Sequence, residues 1–264
     1  MLMEVKNQLK VNLLTIKYAV MRELLNKVTF FTNVIFMILN NATFIIQWLV
    51  LFSIREEMGG YTLKQVLLLW GFASFTYGFS HFFFKKSYEL HDIINNGKLD
   101  AFLVLPKNVL LQAITSDVEP SGLGDIIYGY IVLGIYGITF RNFILFTLLG
   151  IMGGICLTAI AVITSSLSFW FRKTDVIADT ANSLMTNFAT YPDGIFKGIV
   201  KYLLYTLIPV GITAYIPVKL MIEFKVEYLL IVLVFTLSLL VLSFVIFNLG
   251  LKKYSSSNLM VARI

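Results

Sequence analysis

Apolar residues recur every three or four positions through the first 28 residues, with basic residues between them. The stripe comprises Val5, Leu9, Leu13, Ile16, Val20, Leu24 and Val28. This spacing predicts an amphipathic helix over residues 1–28. A lysine-rich amphipathic helix is typical of the membrane surface, where it lies in the interface rather than crossing the bilayer. Packing against a partner subunit is the alternative.

Longer apolar runs follow, and several reach the roughly 20 residues that span a bilayer. The predicted spans are 29–53, 63–84, about 122–140, 143–170, 175–191 and about 228–250. The fifth has a helical pattern but is unusually polar. The pattern predicts an all-α polytopic membrane protein with six transmembrane helices, in which residues 1–264 form a single transmembrane domain.

Composition agrees with a membrane protein. Hydrophobic residues make up 58% of the chain and charged residues 14%, whereas soluble domains average about 25% charged residues. The net charge of +6 sits at segment ends and forms no basic face, so we expect no nucleic-acid partner. With the N-terminus inside, Lys and Arg favour the inner side two to one, which predicts that both termini are cytoplasmic.

Two prolines interrupt the apolar stretch before the last span. In "YPDGIFKGIVKYLLYTLIPVGITAYIPVKLM", Pro192 and Gly194 end one helix, Pro209 with Gly211 stops the next, and a third piece leads to Pro217. Each piece is too short to cross a bilayer. The pattern predicts that residues 192–222 form a broken, re-entrant helical hairpin that dips from the outer face. A single kinked span is the alternative.

This order of a short helix, "IPV", "YIPVKLM" and a terminal span resembles the membrane subunits of ABC-2-type ATP-binding-cassette exporters. More narrowly, it resembles the small permeases of the viologen-exporter-like branch. The segment "NGKLDAFLVLP", residues 96–106, resembles the cytoplasmic loop between spans two and three of the same branch. The resemblance implies a bacterial plasma-membrane exporter of a hydrophobic or amphipathic compound. It further implies two ATP-binding subunits, a second permease that is identical or homologous, and alternating access.

Motifs for catalysis are missing from the sequence. It lacks the Walker A pattern that cradles ATP phosphates, and the positions of His81, His91 and Cys156 do not match zinc-site spacing. We therefore expect no catalytic residue, metal or cofactor in this chain. The resemblance places ATP and Mg²⁺ in the partner ATPase.

The polar segment 85–108 is the predicted cytoplasmic coupling loop. "SYELHDIINNG" reads as a short helix that ends at Asn96-Gly97, because glycine just past a helix supplies the left-handed cap. Such a helix suits a docking groove in an ATPase. Its predicted polar contacts are Glu89, His91, Asp92, Asn95, Lys98 and Asp100. The alternative is an ordinary solvated loop.

Polar residues inside apolar spans indicate a translocation pathway, because amides and carboxylates are unfavourable against lipid. The predicted pathway residues are Asn33, Asn40 and Gln47 in the first span and Asp179, Asn182 and Thr186 in the fifth. Interhelical hydrogen bonding is the alternative role. The predicted extracellular gate consists of Pro209, Gly211 and Pro217.

Asp125 is expected near the cytoplasmic end of the third span, where it binds a cationic substrate, pairs with a lysine or reaches interfacial water; the sequence favours water.

Two other function classes stay open. A secondary transporter would show paired broken helices and buried ionisable groups at mid-membrane. A non-transporting scaffold or immunity protein would not need polar stripes.

Overall fold

The computed structural model describes residues 2–171 and 174–255, which form helices joined by short loops and no β-strand. The α-helices are α1 Leu2–Glu23, α2 Lys27–Ile54, α3 Leu63–Tyr88, α4 Leu90–Asn95, α5 Asp100–Leu103, α6 Val109–Ile114, α7 Pro120–Tyr136, α8 Phe140–Ser166, α9 Asp175–Ala189, α10 Gly198–Tyr205, α11 Ile216–Ile222 and α12 Val226–Leu251. A π-helical segment, Gly211–Tyr215, directly precedes α11. The predicted all-α class is confirmed.

Helix α1 meets the rest of the protein through its polar side. Gln8 accepts a hydrogen bond from the backbone N–H of Asn108, at 3.0 Å, and donates to Asn12. Of the predicted apolar stripe, Leu9, Leu13 and Val28 are exposed and Ile16, Val20 and Leu24 are half-buried, while the side chain of Val5 lies outside the described part of the structure. Asn26 then caps α2 by accepting from the N–H of Thr29. The exposed members of the stripe therefore remain free to contact lipid or another subunit.

Close packing of α3 against α7 forms the centre of the fold. A side chain at Gly78 would lie 2.5 Å from the backbone oxygen of Gly122, and one at Gly122 would lie 2.7 Å from the oxygen of Gly78. Only glycine permits such an approach, because any Cβ would overlap the facing backbone. Helix α8 packs on the other side of α3, where Gly150 lies against the ring of Phe75. The largest hydrophobic cluster surrounds these three helices.

Four candidate spans are long and apolar enough to cross a membrane among the described residues: Lys6–Ile54, Leu63–Asn95, Phe140–Phe169 and Val226–Leu251. The helices at the third and fifth predicted spans are shorter. Helix α7 has 17 residues and ends at Gly137, whose φ of +136° is open to glycine. Helix α9 has 15 residues. The multi-pass character is confirmed, while the total of six spans stays a prediction.

The proline-containing region breaks once rather than twice. Helix α10 ends at Tyr205, and residues 206–210 separate it from the helix that continues from Gly211 to Ile222. Pro217 was expected to end a piece, but it lies inside this continuous helix. The N–H of Ile216 bonds to the carbonyl of Gly211, five residues back. This wider π turn gives room for the proline ring, which clashes with the carbonyl four residues back in a regular α-helix.

The segment between α3 and α7 is a folded subdomain of three short helices, α4 to α6. A second hydrophobic cluster holds it against the ends of α8 and α12, where Val162 and Phe247 join Leu90, Ile93 and Leu110. The predicted end of the short helix is confirmed, since α4 stops at Asn95 and Gly97 has a φ of +69°. Through this packing, the segment predicted to be the coupling loop is firmly attached to two long helices, α8 and α12.

Candidate functional site

A cavity of about 430 Å³ lies between α2, α3, α7, α9 and the π-helical segment. Its polar lining residues are Asn40, Asn41, Ser74, Thr76, Asp125, Thr186, Asn187, Thr190 and Thr213, and its aromatic lining residues are Phe44, Trp70, Tyr77 and Tyr191. The sequence predicted Asn40 and Thr186 as pathway residues from two different spans. The structure brings both to this one cavity.

Asp125 occupies the wall of the cavity where α7 meets α2 and α3. Its Oδ1 accepts hydrogen bonds from Asn41 Nδ2 at 2.6 Å and from Ser74 Oγ at 3.1 Å. The residue is 4% exposed and lies beside the middle of α3. The expectation that Asp125 reaches interfacial water is therefore wrong, because the short α7 packs lengthwise on α3 and carries the carboxylate inward.

The other predicted pathway residues do not line this cavity. Asn33, Gln47 and Asp179 are exposed on the outer faces of α2 and α9, and Asn182 is half-buried. Asn41, which neighbours Asn40 in sequence, is the amide that enters the protein instead. The seven-residue spacing of Asn33, Asn40 and Gln47 places them on one helical face. All three are exposed, and of the three Asn40 also lines the cavity.

A second polar cluster surrounds Asp193, between α9 and α10. Tyr61 Oη donates to Asp193 Oδ1 at 2.9 Å, while Tyr205 Oη and Lys219 Nζ each donate to Oδ2 at 2.7 Å. Lys201 Nζ lies 3.8 Å away. Asp193 is 2% exposed, so a buried charge ties the loop before α3 to α10 and α11.

Sequence reasoning missed Asp193, although it lies between the two residues that were expected to end a helix. The available signal was an ionisable residue within an apolar excursion, which usually has a partner. The sequence also showed no sign of the close packing beside Asp193. The backbones of Gly194 and Gly59 approach so closely that a Cβ on Gly194 would lie 1.9 Å from the carbonyl oxygen of Gly59.

The predicted gate residues Pro209, Gly211 and Pro217 are all buried. Gly211 leaves room for a member of the Asp193 cluster, because a Cβ at this position would lie 2.3 Å from the ring of Tyr205. The ring of Tyr205 lies against Gly211 while its hydroxyl reaches Asp193. Helix α10 itself is largely exposed, whereas the helix from Gly211 to Ile222 is almost wholly enclosed.

The predicted coupling residues divide into two groups. Asp92, Asn95 and Lys98 are exposed on the outer side of the short-helix subdomain. The other three have partners within the chain or are buried: Lys86 Nζ donates to Glu89 at 2.6 Å, Tyr254 Oη donates to Asp100 at 3.0 Å, and His91 is buried. His91 is therefore not part of the exposed polar face, because it occupies the helix side that packs inward.

Among the residues that the structure describes, no group of three or more His, Cys, Asp or Glu side chains could hold a metal ion.

Comparison with known proteins identifies a family described as ABC-2 family transporter protein, which matches residues 22–258. No curated protein and no solved structure matches the chain. The family match extends over α2 to α12 and thus includes the cavity, the Asp193 cluster and the short-helix subdomain. The chain belongs to the ABC-2 transporter family and is a multi-pass membrane protein.

Proposed function

We propose that this chain is the membrane-spanning permease subunit of an ATP-binding-cassette exporter. It moves a hydrophobic or amphipathic compound, such as a drug, peptide or lipid, out of a bacterial cell. Family membership over residues 22–258 is the observation that carries this proposal. Membership implies partnership with ATP-binding subunits, and the sequence has no Walker A pattern of its own.

The proposed topology has six spans with both termini in the cytoplasm. Helices α7 and α9 complete the four longer spans, and α10 with the helix from Gly211 to Ile222 forms a re-entrant hairpin from the outer face. Two features support this arrangement: α7 packs along α3 through close glycine contacts, and the enclosed helix after the break is only 12 residues long. Irregular backbone at membrane depth is tolerated where protein surrounds it.

A second permease, identical or homologous, covers the outward face of α2. Asn33, Asn40 and Gln47 are exposed on that face, and amides are unfavourable against lipid. The outward residues of α12 differ from those of α2 because they are apolar, with Val234 and Val241 more than 60% exposed. Helix α12 therefore faces lipid, while α2 faces the partner and, with α9, borders the translocation route.

Energy enters through the short-helix subdomain. Asp92, Asn95 and Lys98 form its exposed polar face, and the hydrophobic cluster beneath connects it to α8 and α12. An ATPase that binds this face and moves it would also move α8 and α12, because the subdomain and both helices share one closely packed hydrophobic cluster. The similarity of residues 96–106 to the viologen-exporter-like branch supports the same role.

The outer gate comprises Pro209, Gly211 and Pro217 together with the Asp193 cluster. The break at residues 206–210 sets the angle between α10 and the enclosed helix. Lys219 and Tyr205 then hold the two pieces together through one carboxylate. Opening of the exit requires these bonds to rearrange.

Transport into inside-out membrane vesicles tests the proposal with an amphipathic dye, Hoechst 33342, as the probe. We expect dye accumulation that requires hydrolysable ATP, survives an ionophore that collapses ion gradients, and disappears in vesicles without this chain. Accumulation that needs a gradient and no ATP would instead support a secondary transporter. Identical transport with and without the chain would support the scaffold alternative.

A further inference from the structure

The cavity beside Asp125 points to a substrate class. We propose that it binds a protonated amphipathic amine that also carries a hydrogen-bond-accepting oxygen, with Asp125 as the counter-ion. This inference rests on the proposed export function and specifies the compound that the transporter accepts.

The carboxylate of Asp125 has unused hydrogen-bonding capacity. Both side-chain donors, Asn41 and Ser74, bond to Oδ1. Among residues 2–171 and 174–255, no hydrogen bond reaches Oδ2 and no Lys or Arg forms an ion pair with this residue. A buried carboxylate is unfavourable unless a charge partner accompanies it. An ammonium group of a ligand in the cavity supplies that partner.

Two further polar atoms in the same cavity wall lack partners in the described chain. Trp70 Nε1 and Thr76 Oγ1 are buried and make no hydrogen bond, and Thr76 is only 3% exposed. An indole N–H is a donor only, so it requires an acceptor atom. An oxygen on the ligand satisfies Trp70 while the amine satisfies Asp125. The two sites together require a ligand with both groups.

The rest of the cavity suits the apolar part of such a molecule. The rings of Phe44 and Trp70 lie 4.2 Å apart, and Tyr77 and Leu157 extend the apolar wall. Aromatic faces attract ammonium groups and also pack against hydrocarbon. A volume of about 430 Å³ lies within the range of small-molecule sites, roughly 300–1,000 Å³.

Fluorescence titration of the whole transporter in lipid nanodiscs tests the inference. The probe is monodansylcadaverine, which has a primary ammonium, a dansyl group and sulfonyl oxygens; its N-acetylated derivative is the neutral control. We expect the charged probe to bind about tenfold more tightly than the neutral one, as a charge-assisted contact provides. Asp125→Asn should abolish this preference, and Asp125→Glu should keep it.

Glu227→Gln is the matched control variant. It makes the same change of charge at an exposed position in the first turn of α12, and α12 contributes no residue to the cavity lining. It should retain the full preference for the charged probe. Equal affinity of the two probes for the wild-type protein would overturn the inference, and so would a preference that survives Asp125→Asn.

The same preparation separates this inference from the proposed function. If an ATPase co-purifies and hydrolyses ATP but the two probes bind equally, the substrate class is wrong and the export proposal stands. If no ATPase accompanies the chain, the export proposal fails whatever the probes do. Should Asp125→Asn fail to fold, the comparison of the two probes on the wild-type protein still decides.

Discussion

Asp193 accepts hydrogen bonds from three side chains that lie far apart in sequence, and its protonation state follows from that environment. Burial would raise the pKa of Asp193, but the bonds from Lys219, Tyr205 and Tyr61 hold the pKa below its ordinary value. A carboxyl with a lowered pKa in the folded state stabilises the protein above its unfolded pKa, about 3.9. That contribution is lost as the pH falls through the folded-state value.

Substitution Asp193→Asn should therefore flatten the acid side of the stability profile. We expect the thermal midpoint of the wild-type protein in detergent to fall as the pH decreases from about 5 to about 3, and the midpoint of the variant to fall less. At pH 7 the variant should be less stable, because Lys219 loses its charged partner. Asp175→Asn, at an exposed position, is the control. Parallel profiles for Asp193→Asn and the wild type would contradict this account.

Residue-level features were also the hardest to predict from the sequence. Asp125 was expected near water because it comes soon after a polar loop, and only the packing of α7 on α3 places it beside Asn41 and Ser74. Pro217 was expected to break a helix, yet a π turn accommodates it. Such details depend on contacts between distant segments, which a pattern along one chain does not contain.

At the scale of helices, the α3–α7 pair depends on glycines that let the two backbones meet. The matched test uses two glycines of α7. Gly122→Ala should destabilise the protein because its methyl group would overlap the backbone of Gly78, 2.7 Å away, and overpacking costs about 1–3 kcal/mol. Gly134→Ala has its nearest neighbour at 3.9 Å and should be neutral or stabilising by about 1 kcal/mol, since alanine favours helix.

Thermal unfolding in detergent, followed by loss of the monodisperse peak in size-exclusion chromatography, measures both variants. If Gly122→Ala is as stable as Gly134→Ala, close backbone approach does not hold these helices together.

The helices themselves were largely predictable. Apolar runs and their flanking polar residues placed α2, α3, α8 and α12 within a few residues of their observed bounds, because the membrane demands long apolar segments. Helices α7 and α9 also begin within two residues of their predicted bounds. The single break at residues 206–210 depends on neighbouring segments, so the sequence predicted it less well.

The short-helix subdomain should transmit motion from the ATPase. Reversing the exposed charges with Asp92→Lys and Lys98→Glu should uncouple ATP hydrolysis from transport while the subdomain stays folded, because neither side chain enters its hydrophobic cluster. The measurement is the ratio of substrate exported to ATP hydrolysed in proteoliposomes.

A matched control reverses Glu57 and Lys64, which are exposed at the other end of α3. This control should leave the ratio unchanged. An unchanged ratio in the Asp92 and Lys98 variant would remove the subdomain from the coupling mechanism.

For the whole molecule, the outer surfaces distinguish two environments. Helix α12 presents apolar side chains, while α2 presents Asn33, Asn40 and Gln47. In the function proposed above, α12 faces lipid and the amide-bearing side of α2 faces a second permease, because amides are unfavourable against lipid. The cavity beside Asp125 is lined by residues of the same helix, α2, including Asn40 and Asn41.

The central claim is that this chain works as a permease powered by a separate ATPase. The most direct measurement is affinity purification of the tagged chain from its native membrane after gentle extraction, followed by identification and quantification of what co-purifies. We predict a stoichiometric soluble ATPase, alone or with a second permease. A preparation that contains only this chain and still transports substrate in liposomes without ATP would contradict the claim.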